Sequence, residues 1–443
     1  MKRGLVRLFV LLPAVCLGAG VVAAQDNTEL LNRMKAMEDR IKALEAEVQS
    51  LKSQPAPTAA AVAPASPTPV PPEPMAGQGP VTAPQLGGAG GAAAKALNPD
   101  ISVIGDFVGA AGNPRNRPVP SLEMHESEVG FQEVIDPYAR ADFFITFGEH
   151  GVDLEEGYLT FTALPKGLQL KVGKMRAAFG KVNTLHNHVL PWVDRPLVTQ
   201  NLVGGEDGID DAGLSLSRIL PAPKGIFMEG TAQLFRGDST NVYQANKRSD
   251  LSTVEHLRIY RDLTDNTNID LGGSWSRGHS PFGNGWNQLY GADATLRWKP
   301  LQRSIYHSFV GRSELVWART VAGIRNGDFS GLPNGNVVRT PFGFYISGEY
   351  QLGRRWFSGV RFDRSQRVCG LPTNPPTTTD CAPRDFGILV RDNGGSLLLT
   401  YWPSEFSQVR GQLRRIRYGE GLWANEFLFQ FMFSMGAHGA HPF

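Results

Sequence analysis

The chain has 443 residues, and its 44 Lys and Arg nearly cancel its 42 Asp and Glu. That balance excludes nucleic-acid binding by bulk electrostatics. Beyond the leader no apolar run reaches helix-spanning length, which excludes helical membrane spans but not a β-barrel, whose strands need apolar residues on one face only.

Lys2, Arg3 and Arg7 precede an apolar run over 8–22, and Val22, Ala23 and Ala24 supply small residues ahead of Gln25. Residues 1–24 therefore read as a secretory signal, and the mature chain is expected outside the cytoplasm. Cys16 falls within the leader, leaving Cys369 and Cys381, which bracket a Pro- and Thr-rich segment. In an oxidising compartment such a pair reads as a loop-closing disulfide.

Apolar residues then recur at Leu30, Met34, Met37, Ile41, Leu44, Val48 and Leu51, in steps of four and three. This is a heptad seam with Met34, Ile41 and Val48 at a and the leucines and Met37 at d. Arg33 with Glu38, Arg40 with Glu45 and Glu47 with Lys52 form g-to-e pairs of opposite sign, which favour parallel self-association of the 25–54 helix. The alternative is a single amphipathic helix lying on another surface. Pro55 ends the helix, and residues 55–97, rich in Pro, Ala, Thr and Gly, cannot bury a core and read as a disordered linker.

From residue 98 to residue 443 the pattern becomes short alternating segments: 100–110, 124–135, 138–147, 152–163, 168–177, 212–220, 226–236, 254–263, 267–276, 288–298, 304–318, 342–352, 356–365, 387–402, 407–418 and 425–435. Alternation is the signature of strands with two unlike faces. In the last segment Phe427, Phe429, Phe431 and Phe433 share one parity, and Glu426, Gln430 and Ser434 the other. Lipid outside and water inside satisfy both faces. Loop lengths sort by parity, with short connections on one rim and every long one on the other, as an up-and-down membrane barrel requires. The expected fold is thus all-β, an antiparallel transmembrane barrel of about 16 strands preceded by an α-helical coiled coil.

Inward-facing Arg140, Arg312, Arg361, Arg410 and Arg414 are expected to line a wet lumen. The longest connection, 179–211, carries His186, His188, Arg195, Glu206 and Asp207, and the strand entering it carries Lys171, Lys174 and Arg176, followed by Lys181. These four cations make a candidate anion track, although their parities differ and a bulge near Gly173 would be needed to bring all of them inward. His186 and His188 with Glu206 and Asp207 form a weak zinc-site candidate, as do His438 and His441 near the end; surface histidines are the ordinary reading.

With this loop third on the long rim and sixteen strands counted, the region from Asn98 to Phe443 resembles the sixteen-stranded general porins and the phosphate-selective porin O/P family. That resemblance implies a third loop folded into the pore at its narrowest point, a trimer, an outer-membrane address with the coiled coil in the periplasm, and passive diffusion of small solutes or ions. The dense basic lining of the phosphate-selective members is not evident here. No nucleophile elbow, phosphate loop or metalloprotease pattern occurs, so neither an enzyme nor a cofactor is expected. The alternatives to a porin are a structural tether, anchored by the barrel and reaching the cell wall, and a zinc-uptake porin.

The heptad segment generates a direct expectation. Deleting residues 26–54 should lower the temperature at which the oligomer dissociates in detergent, measured by semi-native electrophoresis; an equally heat-resistant oligomer would mean that barrel contacts suffice.

Overall fold

The computed structural model describes residue 35 and residues 99–113, 120–149, 151–239, 241–324, 335–369, 387–419 and 421–436. Lys35 apart, the expected signal, coiled coil and linker lie outside the described residues, as do Cys381, His438 and His441. Cys369 is disulfide-bonded.

The strands are β1 (Asp100–Gly112), β2 (Leu122–Asp136), β3 (Ala139–Gly148), β4 (Gly151–Phe161), β5 (Leu168–Arg176), β6 (Asp210–Leu220), β7 (Ile226–Phe235), β8 (Ser252–Thr264) and β9 (Thr267–His279). They continue as β10 (Trp286–Trp298), β11 (Phe309–Ile324), β12 (Gly335–Arg339), β13 (Phe342–Gly353), β14 (Trp356–Val368), β15 (Leu389–Ser404), β16 (Ser407–Arg417) and β17 (Trp423–Gly436). All seventeen described strands belong to one sheet and every pairing is antiparallel, to the neighbour in sequence except for β1 with β17 and β11 with β13. The five-residue β12 pairs with 320–324 at the far end of β11, after β11 has passed its main ladder to β13. Without that flap, sixteen of the seventeen strands form the wall, and β17 closes it against β1 with Phe431 opposite Phe107.

Closure follows from the chemistry of the two faces. In β17 Glu426, Leu428, Gln430, Met432 and Ser434 are buried toward the lumen, whereas Phe427, Phe431 and Met435 are exposed on the outside. The same parity holds along β16, with Arg410, Gln412 and Arg414 inward and Val409 and Leu413 outward. An apolar exterior band can remain uncovered only in hydrocarbon, and there every backbone polar group must be bonded within the barrel itself. Trp356 stacks on Tyr401 at 4.5 Å beside the short turns, in the position of an interfacial aromatic belt.

The expected strands coincide with the wall strands to within a few residues at each end except the eleventh, which ends at Ile324 instead of residue 318 because its far end pairs with β12 in a segment expected to be loop. The eleventh begins at Phe309, not Ser304, because the chain turns at Arg303, whose φ is +65°, and its carbonyl accepts the N–H groups of Tyr306 and His307. Both described chain ends of the barrel, Asp100 and Gly436, lie at the short-turn rim.

Two glycines of β1 fit the outer aromatic ladder of β17. A Cβ on Gly109 would lie 2.3 Å from the Phe429 ring and 2.9 Å from the Ser121 carbonyl, and one on Gly105 would lie 2.4 Å from the Phe433 ring. The rings thus lie flat across bare backbone at the seam where the barrel closes. Gly109→Val should force them off at a cost of roughly 1–3 kcal/mol, as overpacking does. The expected result is a lower yield of folded, heat-modifiable barrel, while Phe429→Ala in the same background should recover part of it.

Candidate functional site

The connection between β5 and β6 enters the barrel instead of standing above its rim. With short turns at Val182–Thr184 and Asn187–Val189 and a helix at Leu197–Leu202, it brings in Phe179, Val182, Leu190, Trp192, Val198, Leu202 and Val203, all buried. They pack on an unusual apolar sector of the inner wall: Phe235 of β7, Val254 of β8, Leu289 of β10, Val316 of β11, Tyr345 of β13 and Leu398 of β15. Trp192 meets Tyr345 edge-on at 5.0 Å and lies under the Arg361 guanidinium at 5.0 Å. At about 1.5–3 kcal/mol per fully buried large apolar side chain, this patch is sufficient to draw the loop inward.

Polar contacts then set where each loop residue sits. On entry, Gln233 accepts the Ala178 N–H at 2.7 Å, Ser274 Oγ the Gly180 N–H at 2.9 Å and Glu314 the Val182 N–H at 3.2 Å. Gly180 has φ +60°, and a Cβ there would run into the Glu314 carboxylate. On the far wall, Asp194 is the common acceptor. Arg361 reaches its carboxylate at 2.9 Å and its carbonyl at 2.7 Å, Arg414 reaches its other oxygen at 2.7 Å, and Gln412 donates to it as well. Burial alone would raise the Asp194 carboxyl, but the two guanidinium groups hold it below the usual carboxylate range. Leu197 N–H donates to Asp363 at 3.1 Å, and Arg410 donates to the Leu190 carbonyl at 2.8 Å.

The third anchor is on the opposite side. His186 places Nδ1 2.6 Å from Glu128 of β2 and Nε2 2.8 Å from Glu156 of β4. With a carboxylate on each ring nitrogen it is an imidazolium; burial would lower its affinity for the proton, but these two hydrogen bonds and the Glu155 charge push it up to about 10. His188 has Nδ1 3.7 Å from Glu128, and its ring meets that of His186 edge-on.

Two β-bulges supply the carboxylates around it. Between β1 and β2, Asp106 pairs with Glu126 and Phe107 with Met124, so His125 is the extra residue and Glu123, Glu126 and Glu128 all turn inward. Between β3 and β4, Phe144 pairs with Glu156 and Ile145 with Leu154, which leaves Glu155 as the extra residue, buried beside Arg176. A bulge re-aims one side chain without breaking the sheet. These two direct titratable groups at the same space.

The sequence candidates separate accordingly. Lys171 lies over the Tyr158 ring at 4.2 Å; Lys174 pairs with Asp210 at 3.1 Å and Asp153 at 3.3 Å; Arg176 pairs with Glu155; and Lys181 lies 3.4 Å from Asp270. The bulge considered near Gly173 is absent, since both ladders of β5 run in unbroken register, and Lys171 and Lys174 keep opposite parity. His186 and His188 meet Glu128 in place of the expected Glu206 and Asp207; Glu206 instead lies 3.5 Å from His125, and the Glu206 and Asp207 carbonyls accept from Arg176. Arg195, buried, donates to Asn187 and to the Val182 and Leu185 carbonyls, stapling the loop to itself. Arg140 pairs with Asp142, and Arg312 lies 3.9 Å from Glu349. Sequence reasoning did not single out Asp194, Glu126, Glu128 or Glu155; Glu126 and Glu128 were accessible as carboxylates two apart on a strand, hence on one face.

Space remains at both rims of the barrel. A cavity of about 620 Å³ at the long-loop rim is lined by Glu123, Glu126, Asp153, Glu155, Glu206, Asp207 and Asp210, against Arg176, Arg414 and His125. A cavity of about 960 Å³ at the short-turn rim is lined by Arg297, Lys299, Arg312, Arg354 and Arg355, against Glu349 and Glu405.

A closed antiparallel barrel with an apolar exterior, a charged interior and a loop folded into the lumen defines a transmembrane β-barrel of the bacterial outer-membrane type. No protein-family model matches the chain. A protein of Aquifex aeolicus (strain VF5), described as uncharacterized, is 26% identical over 407 residues, covering 79% of this chain and 81% of that protein. Among solved structures, Pseudomonas putida OprB at high pH aligns with a TM-score of 0.49 at 9% identity over 76% of this chain and 94% of its own. Salmonella typhi OmpF in complex with daunomycin gives 0.49 and 9% over 76% and 97%. An anion-selective porin from Comamonas acidovorans gives 0.48 and 10% over 76% and 98%. Likenesses of this size carry nothing about cargo or assembly to this chain.

The Asp194 junction can be tested directly. Asp194→Ala leaves Arg361 with Asp363 and Arg414 with Glu426, so the barrel should persist while the loop loses its far anchor, at about 3 kcal/mol. Hydrogen exchange over residues 177–209 should accelerate at least tenfold; unchanged exchange would show that the apolar packing alone fixes the loop.

Proposed function

We propose that the chain is a porin: a water-filled channel for passive diffusion of small hydrophilic solutes or ions across an outer membrane, with the long-loop rim extracellular and the short-turn rim periplasmic. The observation that supports this best is the pair of cavities, one at each rim, edged by charged side chains inside a barrel whose interior is lined by charged groups. The charges that edge the two cavities need water, since unpaired burial of that many ions in a dry core would cost several kcal/mol each. The loop between β5 and β6 is the constriction, and His186, Asp194 and Arg195 act in it as fasteners, not as contacts for a passing solute. A homotrimer, with the heptad helices of three protomers associating in the periplasm, is the assembly we favour.

The two mouths differ in sign. The extracellular mouth is acidic and collects cations; the periplasmic mouth is basic and collects anions. An anion preference therefore draws support from the inner mouth alone, and we propose weak selectivity combined with rectification.

Planar-bilayer recording of the purified protein tests this reading. Stepwise openings with a current that differs between the two polarities are expected, and the asymmetry should shrink as salt rises from 0.1 M to 1 M, because the Debye length falls from about 10 Å to about 3 Å. Glu206→Gln combined with Asp207→Asn should reduce the rectification. Absence of openings in repeated reconstitutions would favour the tether, whose barrel serves as an anchor for the coiled coil.

A further inference from the structure

We propose that Glu126, Glu128 and Glu155, with His188 reaching in from the constriction loop, form a binding site for one divalent cation in the barrel wall. The inference goes beyond the porin reading and holds whether or not the lumen conducts.

The geometry gives the first argument. One carboxylate oxygen from each of Glu126, Glu128 and Glu155 lies within 4.8 Å of the others, and Glu128 likewise lies within 4.8 Å of ring nitrogens of His186 and His188. All of these residues are buried, and they arrive from three separate elements: β2, the bulge of β4 and the inward loop.

The second argument is an unmet bond. Glu126 is only 8% exposed, and its Oε2 is shut off from solvent without accepting a hydrogen bond. Glu155 Oε2 is in the same condition, with His186 Nδ1 3.5 Å away. A buried carboxylate oxygen without a partner is costly, and two in one cluster call for an occupant.

The donor set gives the third: the converging carboxylates of Glu126, Glu128 and Glu155 are hard oxygen ligands, which suit a divalent cation. His186 has both ring nitrogens on carboxylates, and His188, with Nδ1 3.7 Å from Glu128, is the imidazole we assign to the ion. Carboxylates joined by one imidazole suit Mn²⁺, with Ca²⁺ and Zn²⁺ as competitors. Bound there, the ion would tie β2 and β4 to the constriction loop.

The test uses full-length protein refolded from inclusion bodies, free of lipopolysaccharide, with Mn²⁺ as the probe and loss of the free-ion electron paramagnetic resonance signal as the readout. One Mn²⁺ per barrel is expected. Glu126→Gln should weaken binding at least roughly tenfold, the loss that even outer-shell partners cause, and Glu128→Gln should abolish it. No uptake by the wild type would overturn the site and leave a proton shared between Glu126 and Glu155 as the occupant. Equal uptake by both variants would also overturn it, by placing the ion elsewhere. Should the variants not fold, anomalous scattering from wild-type crystals soaked in Mn²⁺ decides: a peak among Glu126, Glu128 and Glu155 supports the site, and its absence there rejects it.

Discussion

A backbone N–H or C=O in hydrocarbon has no water to bond, so a sheet that crosses a membrane must have no free edge. This constraint sets the rest of the molecule. It joins β17 to β1, in an antiparallel pair that makes the number of wall strands even, and makes every strand present one face to lipid and the other inward. Because each strand buries its alternate residues, the lumen inherits whatever the second parity carries, here Glu126, Glu128, Asp363, Arg361, Arg410 and Arg414. The interior charges are therefore placed by the same alternation that builds the exterior band.

Those charges require partners, and the inward loop supplies many of them. Asp194 lies between Arg361 and Arg414, and His186 between Glu128 and Glu156, so each loop ion bridges wall groups on different strands. Breaking a buried pair from one side leaves an uncompensated charge, which costs far more than the pair contributes over an apolar substitute. The apolar patch around Trp192 and Tyr345 is non-directional and brings the loop inside; the ion pairs are directional and select its register.

Much of this was legible in the sequence. The Phe427 to Phe433 ladder, the shared parity of Arg410 and Arg414 and the sorting of loop lengths locate the wall strands, because period-two patterning survives wherever one face meets lipid. The start of β11 was not legible, since a left-handed Arg303 leaves no mark in an alternating pattern. The bulges at His125 and Glu155 were hidden for a deeper reason: an extra residue is defined by the partner strand, and a single strand's alternation cannot reveal it. The carboxylate cluster therefore stayed out of view, although Glu126 and Glu128 share a parity that hints at it. Loop partners were likewise beyond reach, since Asp194 meets Arg361 and Arg414 only after the loop has crossed the lumen.

The two kinds of electrostatics in the barrel respond differently to their surroundings. Glu206, Lys299 and Arg354 line cavities at the mouths, where mobile ions enter and screen their fields. Asp194, Arg361, Arg414 and His186 are enclosed by the loop and the wall, where salt has little access. Ionic strength thus alters what the mouths attract without altering where the loop stands. Selectivity and constriction width are separable properties of this barrel, one set by solvated charges at its ends and the other by desolvated pairs at its waist.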